Sequence, residues 1–368
     1  MNPDSLFAPS PSLEDRLGIA YLTGRTSLFD NFVASTQGRF WDPADAQYID
    51  FSTPFDMTQP LLPLEHFPEL NALAGHVPVE ELINYANLQV HRMLSGFYYG
   101  EQAAFLTCLK EAEELNDPSA VEYAINQARE ESRHQHGFQR YIQARFGTPL
   151  PLSPPYRATI MRLLNGDVPQ KKFVGVQLVF EGLGLATLGY AARSANDPLL
   201  RRLTRLIMAD EAQHHKAGRM LIKRELPLMS PQDSEAMAEE ALACFKLMEG
   251  LYLHAGPYQT LCATYNLEPP AGLILAEHAR NPFFEAIFRR NAKTIDDCGL
   301  VTAQNRALYA PWLKVSDQDS VQDEKDEQLA AEITAELTLH NAGNPNRHLA
   351  PNANANANAN ALNNQALV

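Results

Sequence analysis

Apolar residues recur at helical spacing in four long segments, and turn signals separate these segments. They cover residues 78–116, 119–146, 170–195 and 198–226. The turn sequence Asn-Asp-Pro begins at Asn116 and recurs at Asn196, and Gly147 is a typical helix end. The pattern predicts two helical hairpins joined by the proline-containing connection 148–170, with a short helix near 155–165. The matching turns indicate an internal pseudo-repeat.

The segments on either side of these helices differ in character. Residues 1–75 show little helical period and predict an irregular N-terminal arm, in which segment 39–51 packs aromatic residues onto the helices. A bracing role is favoured there over a substrate-lining one. The segments 231–255 and 269–295 predict two further helices that cover the bundle or form a dimer contact, and 315–340 predicts a surface helix. The predicted domains are the arm 1–75, a helical domain 76–300, a C-terminal helical extension 301–342, and a disordered Asn/Ala-rich tail 343–368.

Two of the predicted helices carry a glutamate in the middle of an apolar stripe. Glu101 and Glu181 each stand at helical spacing among apolar neighbours. A carboxylate in such a stripe is costly unless it is paired or bound to a metal. The stripes consist of Leu94, Phe97, Tyr98, Phe105 and Cys108 around the first, and Val174, Leu178, Leu185 and Leu188 around the second.

The motif Glu-x-x-His occurs twice, as Glu131 to His134 and as Glu211 to His214, and each copy follows one of those glutamates by thirty positions. Residues three apart share a helix face, and thirty residues correspond to one helix, a turn and the return. Two such hairpins would converge four carboxylates and two imidazoles, a ligand set for two divalent first-row metals. The alternative, solvated helix faces in an acidic protein, predicts polar surroundings and conflicts with the apolar stripes.

The residue before each motif glutamate is also acidic. Metal-bound histidines usually donate their second ring N–H to a carboxylate. Asp210 is therefore predicted to orient His134 across the bundle, and Glu130 to orient His214.

This pattern resembles the ferritin-like carboxylate-bridged di-iron oxygenases and oxidases. That superfamily includes the ribonucleotide reductase small subunit, bacterial multicomponent monooxygenases, acyl carrier protein desaturases and p-aminobenzoate N-oxygenases. The matching stretch, 79–225, is under half of the chain and assigns no subfamily; Ile207 stands where the N-oxygenases are expected to have a further histidine ligand. The implied fold is all-α, a ferritin-like four-helix bundle with additional helices. The implied metal ligands and catalytic residues are Glu101, Glu131, His134, Glu181, Glu211 and His214, with Glu131 and Glu211 as bridges and Glu101 and Glu181 as terminal ligands.

The resemblance implies an O₂-dependent oxidoreductase of the monooxygenase, hydroxylase or N-oxygenase type. It would use two iron ions, with manganese possible in part, take O₂ as co-substrate, and act on an organic small molecule. An external electron donor, a ferredoxin or a reductase, and a homodimer are also expected. One alternative is a ferroxidase or peroxide scavenger without an organic substrate. A second is a redox subunit like the ribonucleotide reductase small subunit, which would need a partner protein and a redox-active tyrosine.

Composition narrows the class of protein further. The formal net charge of −14, with no basic cluster, argues against nucleic-acid binding. No run approaches 18 apolar residues, so no membrane span is expected, and the N-terminus lacks the features of a secretory signal. Four scattered cysteines indicate reduced thiols and a cytoplasmic location.

Several residues near the motifs carry weaker signals. Gly182 and Gly184 either leave room for O₂ or substrate or allow close helix packing. Gln177 and Tyr98 lie one turn before Glu181 and Glu101 and could line a pocket, although a core role is favoured for Tyr98 over a radical site. The remaining histidines are expected to point to other helix faces or to be structural: His136 and His215 in the first group, His91, His254 and His278 in the second.

Overall fold

The computed structural model describes residues 5–6, 11–165, 169–252, 256–268, 282–313 and 317–343. Within these ranges the chain forms fourteen α-helices and no strand. Residues 344–368 of the predicted tail and the stretch 269–281 of a predicted helix lie outside the described residues, as do His254 and His278. The helices are α1 Leu13–Arg16, α2 Ile19–Thr23, α3 Asp30–Arg39, α4 Val79–Glu114, α5 Pro118–Arg145, α6 Pro154–Leu164, α7 Pro169–Phe173, α8 Glu181–Ser194, α9 Pro198–Glu225, α10 Pro231–Tyr252, α11 Gly256–Thr264, α12 Pro282–Asp297, α13 Arg306–Tyr309 and α14 Asp317–Ala342.

Two helical hairpins form the predicted four-helix bundle. Helices α4 and α5 form the first hairpin, and the continuous helix from α7 to α8 forms the second with α9. Asp117 and Asp197 cap the return helices, each accepting a hydrogen bond from the backbone N–H two residues on, and a proline follows each cap. Gly147 ends the first hairpin at φ 84°, a conformation that favours glycine. The predicted helices and their pseudo-repeat are therefore confirmed.

A π-helical segment, Val174–Phe180, joins α7 to α8 directly before Glu181. Such single turns occur often at functional sites, and the apolar period did not predict this one. A Cβ atom at Gly218 of α9 would lie 2.6 Å from the carbonyl oxygen of Gln177, so only glycine permits this approach. Asn291 of α12 donates from Nδ2 to the carbonyls of Leu178 and Val179, at 3.4 and 3.2 Å.

The N-terminal arm is more regular than the sequence indicates, because it contains α1, α2 and α3. The buried residues of α3 are Phe32, Thr36 and Arg39, at helical spacing. Two of the three are polar, so the buried face left no apolar period to recognise. Beyond α3, Trp41 and Tyr48 are buried in the same core as α5 and α9.

The C-terminal helix α14 is more than a surface helix. It packs against α3, α8 and α9, and Ile333 and Leu337 are buried there. Its buried Asp326 forms ion pairs with Arg193 of α8 and Arg290 of α12. The predicted surface helix is present, and two apolar residues a turn apart are enough to bury one of its faces.

The helix Lys171–Ser194 is long and apolar enough to cross a membrane by length and composition. Most of its apolar window, 83%, is buried inside the bundle. It is the core helix of the fold, since all-round apolar helices are also found in the interior of large proteins.

Candidate metal centre

All six side chains predicted from the sequence meet in the interior of the bundle. Each lies on one of the four long helices, and none is more than 7% exposed. Helix α4 supplies Glu101, α5 supplies Glu131 and His134, α8 supplies Glu181, and α9 supplies Glu211 and His214.

The six side chains form two overlapping groups of four. One group contains Glu101 and His134, the other contains Glu181 and His214, and both contain Glu131 and Glu211. In each group the potential ligand atoms lie within 4.8 Å of one another. Two carboxylates are therefore shared, and two belong to one group each.

The two imidazoles approach the shared carboxylates in the same way. His134 Nδ1 lies 2.8 Å from Glu211 Oε1 and 3.2 Å from Glu131 Oε2. His214 Nδ1 lies 3.1 Å from Glu131 Oε1 and 3.4 Å from Glu211 Oε2. Each shared carboxylate thus presents one oxygen to each histidine, which is the geometry that a bridging carboxylate requires.

The outer nitrogens of both histidines face the predicted acidic partners. His134 Nε2 lies 3.1 Å from Asp210 Oδ2, and His214 Nε2 lies 2.7 Å from Glu130 Oε2. This pairing across the bundle confirms the prediction. It leaves the Nδ1 atoms directed toward the centre.

Sequence reasoning missed three further residues around these acidic partners. Arg39 links Asp210 and Glu130, at 3.3 Å to each, and Arg133 donates to Asp210 at 2.7 Å. Trp41 donates from its indole N–H to Asp210 at 3.0 Å and stacks on His134, with ring centroids 6.2 Å apart. Arg133 lies inside the motif and could have been noticed, whereas Arg39 and Trp41 come from the distant arm.

Burial and mutual contact shift the pKa values of the site residues in different directions. Burial raises the pKa of Glu101 and Glu181 well above the usual value. Burial and the neighbouring Glu211 also raise the pKa of Glu131, but contacts with both histidines outweigh these effects and lower this pKa to about 2. Burial lowers the pKa of His134, yet the surrounding carboxylates raise it well above the usual value. Metal binding would have to displace such protons, because a ligand histidine is neutral.

The other histidines and the two glycines noted in the sequence lie outside the two ligand groups. His136 and His215 are in neither group of four, as expected, and His91 bonds to the Thr148 carbonyl. A Cβ atom at Gly182 would lie 2.4 Å from Asn291 Nδ2, so this glycine serves packing. Gly184 faces Phe97, with 3.8 Å from its ideal Cβ to Cε1.

A cavity of about 310 Å³ lies beside α4. Its wall includes apolar and polar side chains from α4, α8 and the segment after α5. The four residues that were expected near a substrate pocket do not line this cavity; they are Tyr98, Gln177, Gly182 and Gly184. Representative lining residues are Val90, Arg92, Met93, Gly96, Phe97, Tyr156 and Tyr190.

Phe97 connects this cavity to the six-residue cluster. It lies one turn before Glu101 and stacks in parallel on Phe138, with centroids 5.4 Å apart. Phe138 is fully buried and lies one turn after His134. The two rings form an apolar contact between α4, at the cavity wall, and α5, next to the motif histidine.

The helices and the six side chains together have the arrangement of the ferritin-like carboxylate-bridged di-metal proteins. No protein-family model and no curated protein matches the chain. Among solved structures, the chain is similar to R2-like ligand-binding oxidases. One from Sulfolobus acidocaldarius aligns at 18% identity and a TM-score of 0.45, covering 77% of this chain and 96% of that chain. Two variants with aerobically reconstituted Mn/Fe cofactor also align. The first has 17% identity and a TM-score of 0.45, and the alignment covers 76% of this chain and 99% of that chain. The second has 15% identity and a TM-score of 0.47, and the alignment covers 77% of this chain and 99% of that chain.

Proposed function

We propose that the protein is an O₂-dependent oxidoreductase with a di-metal centre, of the monooxygenase, hydroxylase or N-oxygenase type, acting on an organic small molecule. The observation that carries the proposal is the pair of overlapping ligand groups, which share Glu131 and Glu211. Iron in both positions, or manganese in part, suits their oxygen-rich ligands with one nitrogen per group.

Buried atoms at the centre support metal binding independently. His214 Nδ1 and Glu211 Oε2 are buried and make no hydrogen bond within the described part of the chain. Buried polar atoms without a hydrogen bond are costly. The two atoms lie 3.4 Å from each other, and His214 Nδ1 lies 3.1 Å from Glu131 Oε1, so their contacts are ion-pair contacts within the centre. Metal ions held by Glu131 and Glu211 as bridges, and by Glu101 and Glu181 as outer ligands, would satisfy them.

The protein's own residues prepare the centre for O₂ chemistry. When bound, a reduced pair of metal ions supplies electrons for the reduction of O₂. Asp210 and Glu130 fix the orientation of the two histidines, and the burial of all six side chains in the bundle keeps bulk water away. A dry, pre-shaped surrounding is what the protein contributes to metal-ion catalysis.

The cavity supports an organic substrate over a ferroxidase role. An ion path needs no apolar chamber, whereas this cavity is lined mainly by apolar and aromatic side chains with a few polar groups such as Arg92. That composition is typical of small-molecule sites. An aromatic or apolar molecule with one polar group fits such a lining.

An external electron donor, a homodimer and a cytoplasmic location are also parts of this proposal. One feature supports the donor: an open pocket on the surface includes Trp41 and Arg133 in its wall. Trp41 donates to Asp210, which in turn contacts His134. Between a reductant at this pocket and the centre there would therefore be a short series of hydrogen-bonded side chains: Trp41, Asp210 and His134.

Metal loading and O₂ uptake test the proposal directly. Protein loaded with ferrous iron without air should hold about two iron ions per chain by elemental analysis. It should then consume O₂ faster when an organic substrate is present. A reproducible maximum of one metal ion would exclude the di-metal centre, and O₂ uptake that depends on ferrous iron alone would favour a ferroxidase.

Filling the cavity should block the substrate and spare the metals. Gly96 lines the cavity within α4, and its ideal Cβ would only touch Tyr156, at 3.7 Å. Gly96→Leu should therefore keep helix α4, because leucine favours helix more than glycine does. We expect near-normal iron content. Substrate-dependent turnover should fall by at least about 10-fold, because a loss of about 1.4 kcal/mol in contacts between substrate and cavity already corresponds to a factor of ten.

The matched control is Gly250→Leu, the same exchange in α10, where an ideal Cβ has open space around it. This variant should retain turnover. Full turnover in Gly96→Leu would show that the cavity does not hold the substrate.

A further inference from the structure

A second polar cluster, without metal-ligand geometry, lies directly against the six-residue cluster. It consists of Gln127 of α5, Gln177 of the π-helical segment and Glu111 of α4, and all three side chains are at most 3% exposed. Buried polar groups of this kind need a partner to offset their loss of water. The three residues satisfy most of that need with one another and with two of the proposed metal ligands.

Gln127 contacts two carboxylates on different helices with one atom. Its Nε2 lies 2.8 Å from Glu131 Oε1 and 3.2 Å from Glu181 Oε1. One of these carboxylates is shared by both ligand groups, and the other belongs to one group only. The amide thus links a proposed bridge to a proposed terminal ligand.

Gln177 fixes which end of that amide faces the carboxylates. Gln127 Nε2 also lies 3.2 Å from Gln177 Oε1, and Gln177 Nε2 donates to Gln127 Oε1 at 3.0 Å. A flipped Gln127 would place its oxygen against two carboxylate oxygens, which are acceptors. The reciprocal pair of amides disfavours that flip.

Glu111 stands at the end of this series of side-chain hydrogen bonds and favours one direction of donation along it. Its Oε2 accepts from Gln177 Nε2 at 3.4 Å. Burial raises the pKa of Glu111 to about 8. A carboxyl group keeps an acceptor oxygen in either protonation state, so Glu111 can hold the NH₂ group of Gln177 toward α4 and leave the Gln177 oxygen for Gln127. The π-helical turn and Gly218 are what allow Gln177 to reach this position.

We infer that Gln127, held by Gln177 and Glu111, is a positioning residue that sets how Glu131 and Glu181 present their oxygens to the metal ions. This inference rests on the proposed di-metal centre. A hydrogen bond to a carboxylate oxygen weakens that oxygen as a ligand. The amide would therefore make the two oxygens of the Glu131 bridge unequal, and at Glu181 it would favour the oxygen that it does not contact. Partners of ligating carboxylates act on metal affinity in this way.

The experiment compares Gln127→Leu with the matched control Gln135→Leu in anaerobic, ferrous protein. Gln135 lies on the same helix and makes the same type of amide contact to α4, donating to Gln102 at 2.8 Å rather than to a carboxylate. The readouts are iron affinity and the near-infrared magnetic circular dichroism of the ferrous ions, which reports their ligand geometry. We expect Gln127→Leu to lose about 10–100-fold in affinity and to change the spectrum, and Gln135→Leu to change neither.

Glu111 separates positioning from packing in the same assay. Glu111→Gln retains an acceptor oxygen for Gln177 and should give a spectrum close to that of the unaltered protein. Glu111→Leu removes the acceptor and should shift the spectrum in the direction of Gln127→Leu; if Gln127→Leu fails to fold, this pair of variants carries the test. An unchanged affinity and spectrum in Gln127→Leu, or in Glu111→Leu, would overturn the inference. Failure of the unaltered protein to bind two ions would instead overturn the proposed function.

Discussion

Glu131→Gln should reduce the metal content from about two ions per chain to less than one. Glu131 belongs to both ligand groups and presents a different oxygen to each histidine, at 3.2 and 3.1 Å. A neutral amide keeps the volume of the side chain but offers only one oxygen and no charge. The loss should exceed the 10–100-fold that is typical of a residue outside the ligand set.

The measurement is elemental analysis after anaerobic loading with ferrous iron and removal of free metal. Glu101→Gln provides the comparison, because Glu101 belongs to one group only. That variant should retain at least one ion more tightly than Glu131→Gln does. Two tightly held ions in Glu131→Gln would show that Glu131 is not a bridge.

The sequence predicted that the six side chains meet, because the information that brings them together is local. The spacing between Glu101, Glu131 and His134 follows from helix geometry alone, and it recurs at Glu181, Glu211 and His214. The acidic residues Asp210 and Glu130 stand next to the motif glutamates, so their cross-bundle partners could be inferred from the same geometry.

The features that were missed depend on contacts between distant segments. Arg39 and Trp41 reach Asp210 from about 170 residues away, and no periodicity connects them. The π-helical turn depends on the space at Gly218 and on the amide of Asn291, which come from two other helices. Gln177 lies one turn before Glu181, as the sequence indicated, but its partners Gln127 and Glu111 become visible only once three helices are in place.

The arm's contact with Asp210 has a consequence for stability. Asp210 is fully buried and accepts from Arg39, Arg133 and Trp41 in addition to facing His134. The sequence predicted a role for Asp210 in the metal site alone. The structure adds two buried guanidinium groups that depend on the same carboxylate.

Asp210→Asn should therefore lower both metal affinity and the stability of the fold. The asparagine has one acceptor oxygen in place of two and no charge, so Arg39 and Arg133 keep Glu130 as their only charged partner at this site, at 3.3 and 3.8 Å. A fully broken buried pair costs about 3–5 kcal/mol of unfolding free energy, and the loss here should be smaller because Glu130 remains. Loss of the charged group that orients His134 should weaken metal binding by about 10–100-fold. Denaturant unfolding of the metal-free protein and anaerobic iron titration measure the two effects separately.

Asp197→Asn distinguishes a specific effect on the centre from general loosening. Asp197 is also fully buried and accepts from Arg145 and Tyr141, but it caps α9 far from the ligands. This variant should lose stability while its iron affinity stays near that of the unaltered protein. Equal losses of affinity in both variants would mean that Asp210 acts only through the fold. An unchanged affinity in Asp210→Asn would mean that His134 keeps its orientation without a charged partner.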